Sequence, residues 1–280
     1  MLKKTPLILA LGALAFFFFS PAQTTETQVI RAPTEPPALP QIEARAALAQ
    51  DFLTGEILFK KNEKTALPLA SITKIIALLA VLDKISLDEE IEISKSAVLA
   101  PEPSSLRIGE HFEVGDLVAM AMVESSNDAI TALYERLNTD GQFLEIMRLK
   151  AEILGANSMN FINATGLDET ETTTGGYGSA EDLLKVTRFS LDSPIWQFGD
   201  VREIVSKEGI KHILKPTNEL GPELTPLIGA KTGFTDLAGG NLLVIVEYPI
   251  GHPLGIVVLG SSEKGRFEDV KKILGWIKNL

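Results

Sequence analysis

The chain has 280 residues, 22% of them charged, and a formal net charge of −11 at pH 7. An acidic chain with scattered lysines lacks the basic surface that nucleic-acid binding requires, so no nucleic-acid partner is expected. It has no cysteine, which excludes disulfides and thiol chemistry. Its three histidines are far apart in sequence, so neither a zinc site nor another metal or cofactor is expected.

Residues 1–22 have the pattern of an export signal. Two lysines near the start precede an uncharged apolar stretch, and small residues at positions 20 and 22 suit cleavage before Gln23. The apolar stretch is shorter than the ~20 residues that a membrane-spanning helix needs, which favours a cleaved signal peptide over an uncleaved anchor. We therefore expect an exported protein of the periplasm or cell envelope, with any membrane association confined to the N-terminal segment.

The following residues predict a linker and then one domain. Residues 23–40 are rich in proline and threonine and predict a solvated, extended linker. Residues 41–280 are numerous enough for a single domain with one substantial core. Near its start, the apolar runs at 46–49 and 57–59 flank Gly55 and predict a β-hairpin.

A serine and a lysine one helical turn apart open the next predicted element. Ser71 and Lys74 begin a run to Leu82 that is otherwise apolar nearly all round, which predicts a buried helix. In the first turn, unpaired N–H groups favour developing negative charge on Ser71. Burial would favour the neutral amine of Lys74, which can accept a hydroxyl proton. An N-cap serine with a lysine reaching solvent is the alternative, but it explains less well a lysine in so apolar a helix.

The middle of the chain, residues 83–200, has mostly helical periodicity and contains a second polar string. Ser125, Ser126 and Asn127 follow the amphipathic stretch 114–123 and precede another helical pattern, so they predict a tight connection between two helices. Helix capping would explain one of these polar residues and leave the others unused.

Strand patterns return in the last third of the chain. They lie near residues 203–205, 212–214, 228–232, 242–247 and 255–259, and a last helix is predicted from Phe267 to Lys278. The string Lys231-Thr232-Gly233 ends one of these strands, and glycine beside a strand often marks the approach of a ligand to the backbone. For this string alone, an exposed edge lysine that prevents aggregation is the alternative.

This order of elements predicts an α+β fold. Strands come from both ends of the chain and helices from its middle, which favours an antiparallel sheet flanked by helices, with a mostly helical insertion at residues 83–200. A cleft between sheet and insertion is the expected place for a site.

Two further strings match the same patterns in contexts that argue against a site. Ser261 and Lys264 repeat the S-x-x-K spacing, but they lie among glycine and polar residues that predict a flexible turn with a solvated lysine. Ser158 and Asn160 repeat the S-x-N spacing in what is predicted to be a turn into a strand.

The three strings, in this order, resemble the site of penicillin-binding proteins and serine β-lactamases. The longer blocks resemble those of the low-molecular-mass D-alanyl-D-alanine carboxypeptidases, the S11 peptidase family. The blocks are Leu67-Pro68-Leu69-Ala70-Ser71-Ile72-Thr73-Lys74, Met122-Val123-Glu124-Ser125-Ser126-Asn127-Asp128-Ala129, Asn163-Ala164-Thr165-Gly166-Leu167, Tyr177-Gly178-Ser179-Ala180 with Asp182, and Lys231-Thr232-Gly233-Phe234-Thr235 with Ala238-Gly239. The resemblance covers roughly residues 42–280 and implies a β-lactamase/transpeptidase-like fold.

The resemblance also implies a reaction. Ser71 would attack the carbonyl between two D-alanines of a peptidoglycan stem peptide, with Lys74 taking the proton. Ser125, with Lys231, would relay a proton to the leaving amine. Water would then hydrolyse the acyl-serine, and β-lactams would act as inhibitors by leaving a slowly hydrolysed ester on Ser71.

Binding roles follow from the same resemblance. Asn127 would bind the substrate amide, and Lys231 and Thr232 would hold the terminal carboxylate. The strand through Gly233 would accept the peptide along its edge. Backbone N–H groups of Ser71 and Phe234 would form the oxyanion hole.

The chain departs from the family pattern in two respects. Thr165 stands where histidine is usual, and we expect only a local change in packing. The chain stops about fifty residues after Lys231, so no C-terminal β-domain is expected, which resembles the shorter endopeptidase members. A D,D-endopeptidase is therefore the nearest alternative.

Two other functions are weaker alternatives. A class A-like β-lactamase needs a glutamate that holds a water, and no E-x-x-L-N string lies between Asn127 and Lys231, although Asp168, Glu169 and Glu171 are acidic residues in that interval. A non-catalytic module that binds muropeptides or β-lactams would not need the complete set of catalytic residues.

Overall fold

The computed structural model describes residues 37–101, 105–221, 223–224 and 226–280. The predicted signal segment, 1–22, and most of the predicted linker, 23–40, lie outside the described residues. Twelve strands and seven α-helices form in the described part of the chain. The strands are β1 (Ala46–Asp51), β2 (Ile57–Lys61), β3 (Leu67–Pro68), β4 (Glu90–Glu92), β5 (His111–Glu113), β6 (Asn160–Phe161), β7 (Gly176–Gly178), β8 (Glu203–Val205), β9 (Lys211–Ile213), β10 (Leu227–Thr235), β11 (Gly239–Glu247) and β12 (Pro253–Ser261). The helices are α1 (Lys74–Leu82), α2 (Lys95–Val98), α3 (Val114–Val123), α4 (Asn127–Leu137), α5 (Phe143–Ile153), α6 (Ala180–Phe189) and α7 (Gly265–Ile277).

A five-stranded antiparallel sheet joins the two ends of the domain. Its strand order is β10-β11-β12-β1-β2, so the N-terminal hairpin pairs through β1 with the last strand of the chain. The predicted hairpin around Gly55 is confirmed, and Gly55 has a positive φ of 80° that the turn requires. Strand β10 lies at one edge of this sheet.

The period of two along the strands divides the core into two layers. On β11, Leu243 and Ile245 pack toward the helices of the middle of the chain, whereas Leu242 and Val244 pack toward α7. Helix α7 covers the second face with an apolar stripe that includes Phe267. Helices α2 to α6 lie between β2 and β10 in sequence, as the predicted insertion required. The predicted α+β architecture with an antiparallel sheet is confirmed.

A smaller sheet of three short strands lies at the start of α1. Its order is β3-β7-β6, and β3 leads directly into the turn that contains Ser71. The side chain of Asn241, fully buried on β11, donates to the carbonyl of Pro68 and accepts from the N–H of Gly260. This amide fixes the position of β3 against the large sheet.

Candidate active site

Ser71 lies in a tight turn that leads into α1. Residues Ala70–Thr73 form a single 3₁₀ turn, and α1 begins at Lys74. The preceding residue, Ala70, has a positive φ of 49°, an uncommon conformation for a residue with a side chain and one that functional sites often retain. Gly166 packs against this turn so closely that a Cβ there would lie 1.9 Å from the carbonyl oxygen of Ala70. Ser71 is half-buried, so the turn presents its hydroxyl at the wall of a cleft.

The ammonium group of Lys74 is held by three neutral acceptors. Its Nζ donates to Ser71 Oγ at 2.7 Å, to Asn127 Oδ1 at 2.8 Å and to the carbonyl oxygen of Thr165 at 2.9 Å. Lys74 is fully buried, in agreement with the prediction from its apolar helix. The interpretation in which its charged end reaches solvent is therefore wrong. The amine lies one hydrogen bond from the hydroxyl, which is the geometry that a general base requires.

Ser125 lies in the tight connection between α3 and α4 that the sequence predicts, whereas Asn127 is the first residue of α4. Ser125 has a positive φ of 63°, and Ser126 caps α4 by accepting from the N–H of Ala129 at 3.0 Å. Capping thus accounts for Ser126 but not for its two neighbours. The amide of Asn127 is buried, and its Nδ2 donates to the carbonyl of Pro101 at 3.0 Å.

The side chain of Lys231, on β10, extends to Ser125. Its Nζ donates to Ser125 Oγ at 2.7 Å and to the carbonyl of Thr232 at 2.9 Å, and its side chain is 1% exposed. The interpretation of Lys231 as an exposed edge lysine is therefore wrong. Burial, together with the positive charges of Lys74 and Arg266, holds the pKa of Lys231 well below its usual range.

The remainder of the third string lines the edge of β10. Thr232 Oγ1 donates to Thr217 Oγ1 at 2.6 Å, which links the strand to the segment before it. Arg266 Nη1 donates to the carbonyl of Gly233 at 2.8 Å from the start of α7. The side chain of Phe234 is 43% exposed, so the strand leaves the core at this residue. Contacts thus bring the predicted strings together: Lys74 binds Ser71 and Asn127, Lys231 binds Ser125, and Gly233 packs against the Ser71 turn.

Gly233 allows β10 to pass directly beside the Ser71 turn. A Cβ at Gly233 would lie 2.9 Å from the carbonyl oxygen of Leu69 and 3.2 Å from the backbone nitrogen of Ser71, and both contacts are with backbone atoms that cannot rotate away. The backbone nitrogen of Ser71 therefore lies close beside this strand.

We predict that Gly233→Ala lowers the rate of acylation by a fluorescent penicillin about 10²-fold, because displacement of a nucleophile by roughly 1 Å costs that much. Gly275→Ala on α7 is the matched control, since a Cβ there meets no atom within 4 Å. Equal acylation rates in the two variants would show that the close packing of β10 on the turn is irrelevant to the reaction.

Sequence reasoning missed three contributors to this cleft. The carbonyl of Thr165 binds Lys74, and backbone acceptors have no signature in the identity of a side chain. Thr217 and Arg266 come from segments without a catalytic motif. The burial of Arg266 at the start of α7 points to a structural or binding role, but it is seen only in the folded structure.

The repeated strings lie elsewhere, but one prediction about them is wrong. Ser261 is the last residue of β12 and only 7% exposed, not part of a flexible turn. Its Oγ donates to Asp269, whose carboxylate also accepts from the N–H groups of Glu43 and Ala44. The polar, glycine-flanked sequence suggested a loop, but the hydrogen bond to the buried carboxylate of Asp269 holds Ser261 in the core. Lys264 is exposed, as predicted.

The other predicted non-functional serine also has a structural contact. Ser158 exchanges hydrogen bonds with Ser179, and its N–H donates to the carboxylate of Asp182. Asn160 begins β6, which confirms the predicted turn into a strand. These contacts join the small sheet to the start of α6.

Two of the three acidic residues considered as water-holding groups, Asp168 and Glu169, have other partners. Asp168 accepts from Thr235 Oγ1 at 3.0 Å and from the N–H of Leu237 at 3.1 Å, while Glu169 accepts from the side chain of Asn163. The carboxylate of Asp168 therefore ties its loop to the turn between β10 and β11.

The histidines contact carboxylates in three separate places. His111 pairs with Glu208, His252 pairs with Asp51, and His212 binds both Glu110 and Ser105. Within the described ranges, no group of three or more metal-binding side chains comes together.

Comparisons with known proteins show the family to which this sequence is similar. The family model described as D-alanyl-D-alanine carboxypeptidase, Peptidase S11, matches residues 31–263. A D-alanyl-D-alanine endopeptidase of Pseudomonas aeruginosa is 28% identical over 265 residues, which cover 90% of this chain and 84% of that protein. The D-alanyl-D-alanine carboxypeptidase DacC of Escherichia coli is 26% identical over 284 residues, covering 96% of this chain and 68% of the relative.

Solved structures show the same likeness. Penicillin-binding protein D2 of Listeria monocytogenes in its cefotaxime-bound form superposes with a TM-score of 0.74 at 26% identity, covering 86% of this chain and 99% of that one. A variant of the DD-transpeptidase of Streptomyces K15 gives a TM-score of 0.76 at 25% identity, covering 86% and 100% of the two chains.

Proposed function

Because the chain belongs to the D-alanyl-D-alanine carboxypeptidase family, Peptidase S11, we propose that it is a serine-type D-Ala-D-Ala carboxypeptidase with Ser71 as its nucleophile. The observation that carries the proposal is the 2.7 Å contact between Ser71 Oγ and the buried amine of Lys74. A hydroxyl becomes a competent nucleophile when a positioned base accepts its proton.

Acylation begins when the neutral amine of Lys74 accepts the hydroxyl proton of Ser71. The oxygen then bonds to the carbonyl carbon of the penultimate D-alanine, and the carbonyl oxygen becomes an oxyanion. The backbone N–H groups of Ser71 and Phe234 stabilise it, a role supported by the close passage of β10 beside the nitrogen of Ser71. Asn127 helps to fix the amine of Lys74 through its Oδ1, at 2.8 Å, and binds the substrate amide.

Collapse of the tetrahedral intermediate requires a proton for the leaving nitrogen. The proton that Lys74 took from Ser71 passes to this nitrogen along Ser125 and Lys231, whose Oγ and Nζ are 2.7 Å apart, so Lys74 becomes neutral again. The C–N bond breaks, D-alanine leaves as an amine, and the acyl group stays on Ser71. Water then attacks the ester with Lys74 as base, which releases the shortened peptide and restores the serine.

Positive charge at the end of the cleft suits the terminal carboxylate of the substrate. Lys231 and Thr232 bind this carboxylate, and Arg266 adds a second buried cation behind Gly233. The substrate lies along the free edge of β10 as an added strand.

We predict that carboxylate binding depends on pH through Lys231. Its pKa is held well below the usual range, so its charge is lost at a lower pH than that of an ordinary lysine. As the pH rises through this pKa, the KM for a D-Ala-D-Ala peptide should increase. Lys231→Arg keeps its charge at every accessible pH, so the KM of that variant should stay flat. Parallel pH profiles of KM in the two proteins would contradict this role.

The partners follow from the reaction. The substrate is a peptidoglycan stem peptide ending in D-Ala-D-Ala, and β-lactams inhibit by acylating Ser71. The place of action is the cell envelope, supported by the export pattern of residues 1–22. No helix in the described part of the chain is both long enough and apolar enough to span a membrane.

Two measurements test the proposal. The protein should release D-alanine from a pentapeptide ending in D-Ala-D-Ala, detected by chromatography of the products. Labelling by a fluorescent penicillin should persist for many minutes, whereas a β-lactamase would clear the label rapidly. Labelling without any release of D-alanine would instead indicate a D,D-endopeptidase or a non-catalytic binding module, and incubation with a dimeric muropeptide would distinguish these two.

A further inference from the structure

A serine, a histidine and a glutamate outside the three strings form a hydrogen-bonded chain. Ser105 Oγ lies 2.8 Å from Nδ1 of His212, and Nε2 of the same ring lies 3.0 Å from Oε1 of Glu110. His212 belongs to β9, whereas Ser105 and Glu110 precede β5. The chain therefore links two separate two-stranded sheets, β4-β5 and β8-β9. None of its members takes part in the mechanism proposed for Ser71.

The acid and the imidazole of this chain are fixed in the core. His212 and Glu110 are each 2% exposed. The other carboxylate oxygen of Glu110, Oε2, accepts from the N–H of Arg107 at 2.8 Å. The ring of Phe112 meets the imidazole edge to face, with the two centroids 5.3 Å apart. The imidazole is thus held in one orientation, as a positioned base requires.

The carboxylate of Glu110 sets the tautomer of His212. An ionised carboxylate only accepts hydrogen bonds, so the proton of the neutral ring lies on Nε2. Nδ1 then carries a lone pair, and the hydroxyl of Ser105 donates to it. In this arrangement an imidazole can take the proton of a serine while an acid orients the ring and stabilises the imidazolium.

Ser105 is the member of the chain that solvent reaches. Its side chain belongs to an exposed residue, whereas His212 and Glu110 are buried. The chain thus runs from the core to the surface and ends in a hydroxyl that a small solute can approach. An exposed serine backed by a buried base and acid is the arrangement of an activated nucleophile.

The charges around Ser105 favour an uncharged substrate. Glu110 binds the imidazole, and the carboxyl group of Glu124, at the end of α3, also interacts electrostatically with it. The buried amines of Lys74 and Lys231 bind the serines of the other cleft. Repulsion therefore disfavours a penicillin or a peptide carboxylate at Ser105. A small neutral ester with a phenolate leaving group suits the site, because a phenolate departs without a proton donor.

We propose that Ser105, His212 and Glu110 form a second nucleophilic site, which takes acyl groups from small, uncharged, activated esters. Ser105 Oγ bonds to the acyl carbon while its proton passes to Nδ1 of His212. The bond to the phenolate oxygen breaks, and the phenolate leaves with the bonding electrons. The imidazolium releases its proton to solvent. Water then hydrolyses the new ester with the same base, which frees the carboxylic acid and restores the serine.

The test uses p-nitrophenyl acetate and the Ser71→Ala protein, in which the other nucleophile is absent. We expect release of nitrophenolate together with acetylation of Ser105, located by mass spectrometry of peptides. Addition of His212→Gln should slow this acetylation about 10²-fold, because a positioned base contributes at least that much. Addition of Ser105→Ala should remove the adduct.

Ser86→Ala is the matched control in the same background. Ser86 is also exposed, but its hydroxyl donates to the carboxylate of Asp88 and not to an imidazole. This variant should keep the full rate of acetylation at Ser105. Acetylation of Ser105 that is no faster than that of Ser86, or that His212→Gln leaves unchanged, would overturn the inference.

The tautomer of His212 gives a measurement that needs no variant. Long-range proton–nitrogen correlation spectra should place the ring proton on Nε2. A proton on Nδ1 would overturn the inference, because that nitrogen would then be unable to accept the proton of Ser105.

The second site is independent of the proposed function, because Ser71 and Lys74 take no part in it. With Ser71 intact, Ser105→Ala should therefore release D-alanine from the pentapeptide at the wild-type rate. Loss of this release would assign Ser105 to the reaction of Ser71 and overturn the claim of a separate site. Failure of wild type to release D-alanine would overturn the proposed function and leave the acetylation of Ser105 as expected.

Discussion

Ser71→Ala is expected to abolish both the release of D-alanine and covalent labelling by penicillin. Removal of an attacking hydroxyl from a catalytic unit lowers kcat by about 10⁴-fold or more. The remaining cleft still contains the buried Lys74 and Lys231, so non-covalent binding of a substrate should survive. The measurements are product chromatography, and mass spectrometry of the intact protein after incubation with penicillin.

Ser261→Ala is the matched control, because Ser261 and Lys264 have the same spacing as the proposed pair. Ser261 donates to Asp269 in the core, so its loss should reduce the thermal stability of the protein while D-alanine release continues. A penicillin adduct on Ser261, or on any side chain other than Ser71, would refute the assignment of the nucleophile.

The pairing of Ser71 with Lys74 was predictable because it is local. The side chains of two residues three apart in a helix are neighbours on the same face. The apolar run around Ser71 and Lys74 indicated in addition that the lysine would be buried. The meeting of this pair with Ser125 and Lys231 was not predictable from spacing. That meeting depends on how β10 packs against the Ser71 turn. Only the resemblance of the three strings to a known family predicted it.

The long strands and the short strands β8 and β9 were predictable, whereas β3, β4, β5 and β7 were not. β11 and β12 have clear apolar runs, and burial of both faces explains why nearly every residue in them is apolar. Strands β3, β6 and β7 have only two or three residues each and carry no period. Long-range contacts place them: Asn241 binds the carbonyl of Pro68 in β3, and β7 pairs with both β3 and β6.

The two lysines of the cleft are buried in different surroundings. Lys74 donates to a hydroxyl, an amide oxygen and a carbonyl, so its three donors are matched by three acceptors. Lys231 has two acceptors and lies near the charges of Lys74 and Arg266. Burial, with repulsion from these two neighbouring cations, lowers the pKa of Lys231.

Lys74→Ala is expected to lower kcat/KM for the pentapeptide by about 10³-fold, because a positioned general base contributes roughly 10²–10⁴. Acylation by penicillin should slow to a similar extent, since it uses the same proton transfer. Small primary amines added to the solution should restore part of the rate if the missing function is that of a base. Lys264→Ala, which removes the exposed lysine of the repeated string, should leave the rate unchanged.

Lys74→Arg separates a base from a fixed positive charge. A guanidinium stays protonated at any accessible pH, so arginine can hold the charge but cannot accept the proton of Ser71. If Lys74 acts as the base, this variant should be as slow as Lys74→Ala while thermal unfolding shows a folded protein. If the arginine variant retains most of the activity, Lys74 contributes only charge, and the proton of Ser71 must go to another group in the cleft.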